Sequence, residues 1–288
     1  MDTIEIVAES PLAEIAIKDL VIPPCPAVLV GLMEEAGQEE VDFSKIVKLI
    51  SGDVGLAASM LKTANSPFFG LRTKAASVQT AVTVLGLKNI LQIVRENALR
   101  QSFGSGVAMD RFWDRSNFTA IVAANIAKSL PGIMKEDAYT YGLFHDCGIP
   151  VLMQKFPDYK QTLAKANRSA ELVVSIEDLS YSTNHAVVGS MMARSWFLTK
   201  ELSQAILLHH DHTIFDSRSV PTVVCNYVAI TMMAEHIVAQ YLNMPDDAEW
   251  YVGGKVAMEF LGYCEEELDE ITSDSLADLR ETSEYRAS

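Results

Sequence analysis

The sequence predicts an all-α fold, on three observations. Apolar residues recur at helical spacing along nearly the whole chain. The stretches between them are short and hold helix caps or stops. No run alternates apolar and polar residues as a half-buried strand would. Short connectors also favour antiparallel neighbours packed on one another.

The elements follow in order. In "PAVLVGLMEEAG", Val28, Leu29, Leu32, Met33 and Ala36 share a face, and Gly37 stands where a helix would stop. "DFSKIVKLISGD" repeats the pattern with Asp42 or Ser44 as cap, Ile46, Val47, Leu49 and Ile50 inward, and Gly52 as stop. Asp53 caps "VGLAASMLKTAN", which ends at Ser66-Pro67 because the Pro ring disfavours helical geometry in the residue before it. Ser77 caps a helix burying Val78, Ala81, Val82 and Leu85; Gly86 breaks it, and a longer helix buries Leu87, Ile90, Leu91, Val94 and Leu99. Gly104 to Gly106 is the seam before the second half. Helices are then expected at about 113–130, 136–144, 149–156, 159–167, 169–181, 185–196, 201–209, 220–242, 248–261 and 265–280. The expected organisation is a helical lobe over 1–104, a second over 105–215, and a helical extension over 216–288 packed on the second lobe.

Composition narrows the function. With 38 acidic against 23 basic residues the net charge is −15, which repels phosphate backbones and anionic lipids. The most basic stretch, Lys88 to Arg100, includes Glu96 and reads as a solvated helix face, so neither nucleic acid nor membrane is an expected partner. No apolar run is read as reaching the length of about 20 residues that spans a bilayer, and "MDTIEIVAESPLAEIAIKDL" lacks the order of a secretion signal. Cys25, Cys147, Cys225 and Cys264 form no Cys-x-x-Cys; they read as reduced thiols of a cytoplasmic protein and argue against structural zinc.

Candidate chemistry concentrates in the second half. "GLFHDCGIPVLMQKFP" sets His145 and Asp146 side by side in an apolar stretch, with Gly148 at the bend. His185 opens a helix after Asn184, and His209-His210-Asp211-His212 closes another. Imidazoles with a carboxylate suit zinc, iron or manganese, and one aspartate can bridge two such ions, which together could activate water against a phosphate ester. Each feature also has a plainer reading: a hydrogen-bonded His-Asp pair, the first residue of a capped helix, and histidines favoured by the dipole at a helix C-terminus. His236 reads as an ordinary, partly buried histidine. No Gly-x-Ser-x-Gly elbow, phosphate-binding loop or dinucleotide fingerprint is present.

The order of these motifs resembles a known family. "IPPCPAVLVGLMEE", "DVGLAASMLKTANSPFFG", "AVTVLG", "GLFHDCG", "NHAVVGSMMARSW" and "LSQAILLHHD" are similar, over roughly residues 20 to 215, to HDOD domains, the HD-related output domains of bacterial signalling proteins. The resemblance implies an HD-phosphohydrolase-like second lobe, whose active members hold metals through histidines and aspartates. His145 and Asp146 then stand at the central pair. His185, His209 and His210 stand at ligand positions of cyclic-dinucleotide phosphodiesterases of the HD-GYP kind. The departures are as specific. Arg115, or a neighbour that is also no ligand, holds the place of the first metal histidine, and Ile149 that of a lysine. No Gly-Tyr-Pro follows His210, and no acidic residue lies between Val220 and Ala234.

A ligand set missing both ends implies a non-catalytic signalling or regulatory module that binds a protein partner or a small ligand. It needs no cofactor, and Arg115 would pair with Asp146 in place of an ion. The alternative is a metal-dependent phosphohydrolase with a reduced site of His145, Asp146, His185, His209 and His210, holding one divalent iron, manganese or zinc. Arg115 would there contact a substrate phosphate. A third case is a metal or nucleotide sensor that binds without turnover.

Overall fold

A computed structural model describes residues 20–66, 71, 74–104, 107–166, 168–169, 171–244 and 248–287, and every regular element among them is helical. Side-chain caps set where the first helices begin. These are α1 (Ala27–Ala36), α2 (Phe43–Ser51), α3 (Val54–Ala64) and α4 (Val78–Ser102). Asp42, rather than Ser44, caps α2 by accepting from the Ser44 and Lys45 amides; Asp53 and Ser77 do the same for α3 and α4. The predicted break at Gly86 is a kink inside α4, with φ 73° and ψ 166°, a conformation open to glycine because it has no Cβ. Leu29, Leu32, Ile46, Ile50, Met60, Ile90 and Leu99 are fully buried, each contributing roughly 1.5–3 kcal/mol of transfer free energy. Pro67 lies outside the described residues, as do Ser105 and Gly106 of the predicted seam.

The remaining helices are α5 (Val107–Ala127), α6 (Lys135–Phe144), α7 (Gly148–Lys155), α8 (Tyr159–Ala166), α9 (Val173–Tyr181), α10 (His185–Ser195) and α11 (Lys200–Leu208). A 3-10 turn (His212–Asp216) leads to α12 (Thr222–Tyr241), α13 (Ala248–Leu261) and α14 (Glu265–Ala287). α5 starts six residues before the predicted position, and α14 runs past Arg280. All four cysteines are free thiols.

The chain divides into two compact units, one of Pro24–Trp113 with Glu270–Ser288, the other of Asp114–Asp269 with the lead-in ending at Pro23. These limits differ from the sequence boundaries at 104 and 215. The first falls inside α5, which carries no break after Gly106. Residues 216–269 group with 114–215 because α12 packs on α6 and α11 and in turn carries α13.

α12 corrects one expectation. It is 20 residues long, and an 18-residue stretch of it has a mean hydropathy of 1.4, long and apolar enough to cross a membrane, although 67% of that stretch is buried within the protein. Its apolar faces, including Val224, Val228, Ile230, Met233 and Ile237, fill the core of the second unit. Within the same unit α7 crosses α10, and α10 packs on α11. Gly142 of α6 lies flat on α5, where a Cβ would stand 2.9 Å from the Ala120 Cα. This arrangement brings the α6–α7 corner, the start of α10 and the end of α11 to one place.

Candidate metal centre

The corner between α6 and α7 is only His145, Asp146 and Cys147. His145 closes α6 through its amide to the Tyr141 carbonyl, and α7 starts at Gly148. Glycine at 148 is required by contact: a Cβ there would lie 2.0 Å from the His185 carbonyl oxygen and 2.8 Å from the Gly189 amide. The corner therefore rests directly on the first turn of α10, and Asp146 stands beside His185. Asn184 caps α10 by accepting from the Val187 amide at 3.0 Å, which fixes that turn. His209 and His210 follow the end of α11.

Four histidines share one tautomeric logic. His145 Nδ1 donates to the Gly142 carbonyl and His209 Nδ1 to the Ile206 carbonyl, both at 2.7 Å. His185 Nδ1 donates to Glu177 and His210 Nδ1 to Glu249, again at 2.7 Å. Glu177 is fully buried and also receives the His185 amide and the Tyr159 hydroxyl. A carbonyl or carboxylate can only accept, so every Nδ1 carries its proton and every Nε2 is left to face inward. Such outer acceptors orient metal-binding histidines and raise their basicity.

The inward atoms converge on Asp146, whose side chain is 14% exposed. One carboxylate oxygen is 3.3 Å from His185 Nε2 and 3.6 Å from His209 Nε2; the other is 3.4 Å from His145 Nε2. Glu235 of α12 places Oε1 3.3 Å from His145 Nε2, and His185 Nε2 lies 3.3 Å from His209 Nε2 and 2.8 Å from His210 Nε2. Two ligand groups result, His185–His209–His210 and His145–Asp146–Glu235, each with donor atoms within 4.8 Å of one another. Most of these separations are long for hydrogen bonds. They match the roughly 3.3–3.4 Å between two ligands held tetrahedrally at about 2.0–2.1 Å from an ion. His145 Nε2 is buried without any hydrogen-bond partner. The donor set fits a divalent metal, with Asp146 placed between the two groups.

Charge tells the same story. Burial disfavours charge on His145, but Asp146 and Glu235 outweigh it and hold its pKa well above the ordinary range. Burial likewise opposes charge on His185, yet Glu177 and Asp146 push it up to about 10. His209 moves down to about 4 through burial and the positive potential of His210. Against the cost of burial, His145 holds Asp146 well below the carboxylate range, and His145 with Arg115 brings Glu235 to about 2. With protein groups alone, protons occupy the places that favour a cation.

The structure brings together His145, Asp146, His185, His209 and His210, and adds what the sequence missed. Glu235 supplies the carboxylate sought between Val220 and Ala234, one position beyond that window. Arg115, expected to pair with Asp146, pairs with Glu235 at 2.8 Å, an oxygen presented by α12. Asp211 caps the 3-10 turn, and His236 stacks on Trp250 at 3.9 Å and bonds Gln240, so neither joins the centre. A cleft of about 280 Å³ opens on the site. Arg115, Asp146, His185, His210 and Glu235 line one part of it, and Ile149, Leu163, Leu172, Val173 and Met244 form an apolar wall.

A His-Asp corner flanked by histidines from two further helices, on an all-α frame, defines an HD-type scaffold. The HDOD domain pattern matches residues 22–212, most of the chain, and the protein belongs to the HDOD family. The solved structure of an HDOD domain protein with unknown function from Geobacter sulfurreducens is similar, with TM-score 0.74 and 21% identity over 97% of this chain and 97% of that one. A Shewanella amazonensis SB2B protein provisionally named a phosphohydrolase gives TM-score 0.74 and 20% identity over 96% of this chain and 98% of that one. These likenesses establish the fold. An uncharacterized protein of Treponema pallidum (strain Nichols) is 29% identical over 196 residues, 66% of this chain but 38% of that protein, so the chain spans well under half of that relative. Glu235 and Glu249 both lie beyond the segment matched by the family pattern.

Proposed function

We propose that this chain is a regulatory HDOD module of a bacterial signalling system that binds a divalent metal and, beside it, a small phosphate-bearing ligand. The metal ligands are His145, Asp146, His185, His209, His210 and Glu235. The observation that carries this reading is the shared tautomer: four imidazoles spend Nδ1–H on outer acceptors, while the Nε2 atoms of His145, His185 and His209 gather around Asp146 and that of His210 meets His185. Such an arrangement is repulsive unless a proton or a metal sits among the lone pairs. A bound iron, manganese or zinc ion would act as a Lewis acid toward a phosphoryl oxygen.

The cleft supports the choice of ligand. Its polar part sets Arg115, His185 and His210 among the carboxylates of Asp146, Glu171, Glu235 and Glu249, so an anionic group would be met there through the bound cation and Arg115, and its apolar wall would take a non-polar body. Ile149 lines this cleft where resemblance to the hydrolases calls for a lysine, so no ammonium there steadies a leaving group. Binding without rapid turnover is therefore the preferred role. Phosphodiester hydrolysis is the second reading, favoured by the cleft opening directly onto Asp146, His185 and His210.

The test is elemental analysis of protein purified without a polyhistidine tag. Near-stoichiometric iron, manganese or zinc in the wild type, lost in His145→Ala, is the expected result. Metal far below one per chain and not restored by adding it back would defeat the reading. Turnover of a phosphodiester by the loaded protein, absent from His145→Ala, would replace regulation by hydrolysis.

A further inference from the structure

We infer that Glu249 is a positioning residue for the metal centre, and that through it the occupancy of the centre is coupled to the seating of α13. The inference rests on the metal-binding reading above. Glu249 is the second residue of α13, and its side chain is 13% exposed. One carboxylate oxygen accepts from His210 Nδ1 at 2.7 Å, and the other lies 2.6 Å from His212 Nε2. It thus clasps the two histidines on either side of Asp211, one of which turns its other nitrogen to His185 at 2.8 Å.

Two further contacts hold this end of α13 in place. A Cβ at Gly253 would stand 3.0 Å from the His212 ring and 3.0 Å from Met232, so the α13 backbone lies directly on that imidazole. Trp250 stacks on His236 of α12 with the rings 7° from parallel. Toward its far end α13 adds apolar packing, with Ala257, Phe260 and Leu261 in one cluster with Ala229, Met232 and Phe215. The polar contact at the start of α13 thus joins the helix to His210, one of the proposed metal ligands.

A carboxylate receiving the outer N–H of a ligand histidine fixes its tautomer and raises the basicity of the inner nitrogen, and losing such a partner typically costs 10–100-fold in metal affinity. Linkage makes the effect reciprocal: whatever factor the seated α13 adds to metal affinity, bound metal returns to the seating of α13. α13 lies beyond residues 22–212, the segment that the family pattern matches.

The experiment uses the full, untagged chain with Co²⁺ as probe, read by its visible absorption bands and by hydrogen exchange in residues 248–261. In the wild type, Co²⁺ should slow exchange in α13. In Glu249→Gln, Co²⁺ should bind 10–100-fold more weakly, with altered bands, and leave α13 exchange unchanged. Wild-type Co²⁺ binding without slower α13 exchange would overturn the inference. So would a Glu249→Gln variant that binds Co²⁺ within twofold of wild type with the same bands. A wild type that takes up no Co²⁺ brings down the metal-binding reading itself, which separates the two failures. If Glu249→Gln does not fold, the wild-type exchange comparison decides alone.

Discussion

The metal-free protein should lose stability as pH rises from 6.5 to 8.5, and bound metal should abolish that loss. His185 is 1% exposed and its pKa stands at about 10, against an ordinary value near 6.5 in the unfolded chain. A histidine with a raised folded-state pKa binds its proton more tightly when folded. Its stabilisation is complete below about pH 6.5 and disappears as pH climbs toward the folded value. The full slope is about 1.4 kcal/mol per pH unit, reached once the unfolded histidine is neutral, so the rise from pH 6.5 to 8.5 costs about 2 kcal/mol from His185 alone. His145 shifts in the same direction and adds to the slope. Metal at Nε2 replaces the proton, so the loaded protein has no such term. Urea unfolding at pH 6.5, 7.5 and 8.5, in EDTA and in saturating Mn²⁺, reads the difference. A metal-free stability flat to within about 1 kcal/mol over these two units would refute the charge assignment and the site electrostatics built on it.

Three further outcomes are expected. In acid, His209, with its pKa lowered to about 4, should start a loss of stability as pH falls below about 6.5, since the unfolded chain takes up that proton first. Glu235 and Glu249, both near 2, should extend the loss below about pH 4.3, by at most about 3 kcal/mol each; the acid limb of a urea-midpoint profile checks this. Gly148→Ala should cost about 3 kcal/mol or more, since its methyl meets backbone rather than a side chain that could turn away, and the urea midpoint measures it. Glu177→Gln should weaken Mn²⁺ binding by about 10–100-fold in a calorimetric titration, because His185 loses a charged outer partner.

Much of the fold was legible because helices are written locally. Asp42, Asp53, Ser77 and Asn184 cap helices within three residues of themselves, and the break at Gly86 needs only its own φ. The histidines were legible as residues, since each motif keeps its ligand close to a turn or a helix end. Glu235 was not: it sits inside an apolar helix, 120 positions from the Arg115 that it meets. Only the packing of α12 on α6 and α11 turns it toward His145. Glu249 was hidden for the same reason, as an acidic residue at the start of an amphipathic helix usually does no more than favour the dipole there. Two limits of the units, at 113/114 and 269/270, also escaped detection, because they fall inside continuous helices that carry no glycine or proline to mark them.

The two departures from the hydrolase pattern bear on one another once the site is assembled. Arg115 stands where a ligand histidine was expected, and its charge lies against Glu235, the carboxylate that also approaches His145. Any ion drawn to the His145–Asp146–Glu235 group therefore competes with a fixed cation for one oxygen, whereas the His185–His209–His210 group does not use the Glu235 carboxylate. On the proposed reading the three-histidine group with Asp146 fills first, and the second group fills weakly or only when Arg115 turns to another anion. A phosphate-bearing ligand in the cleft is such an anion. Ligand and second metal would then favour each other, and Arg115→Gln should raise metal stoichiometry in the absence of ligand, as measured by elemental analysis. A stoichiometry unchanged by that substitution would mean that the Arg115–Glu235 pair does not limit how much metal the site holds.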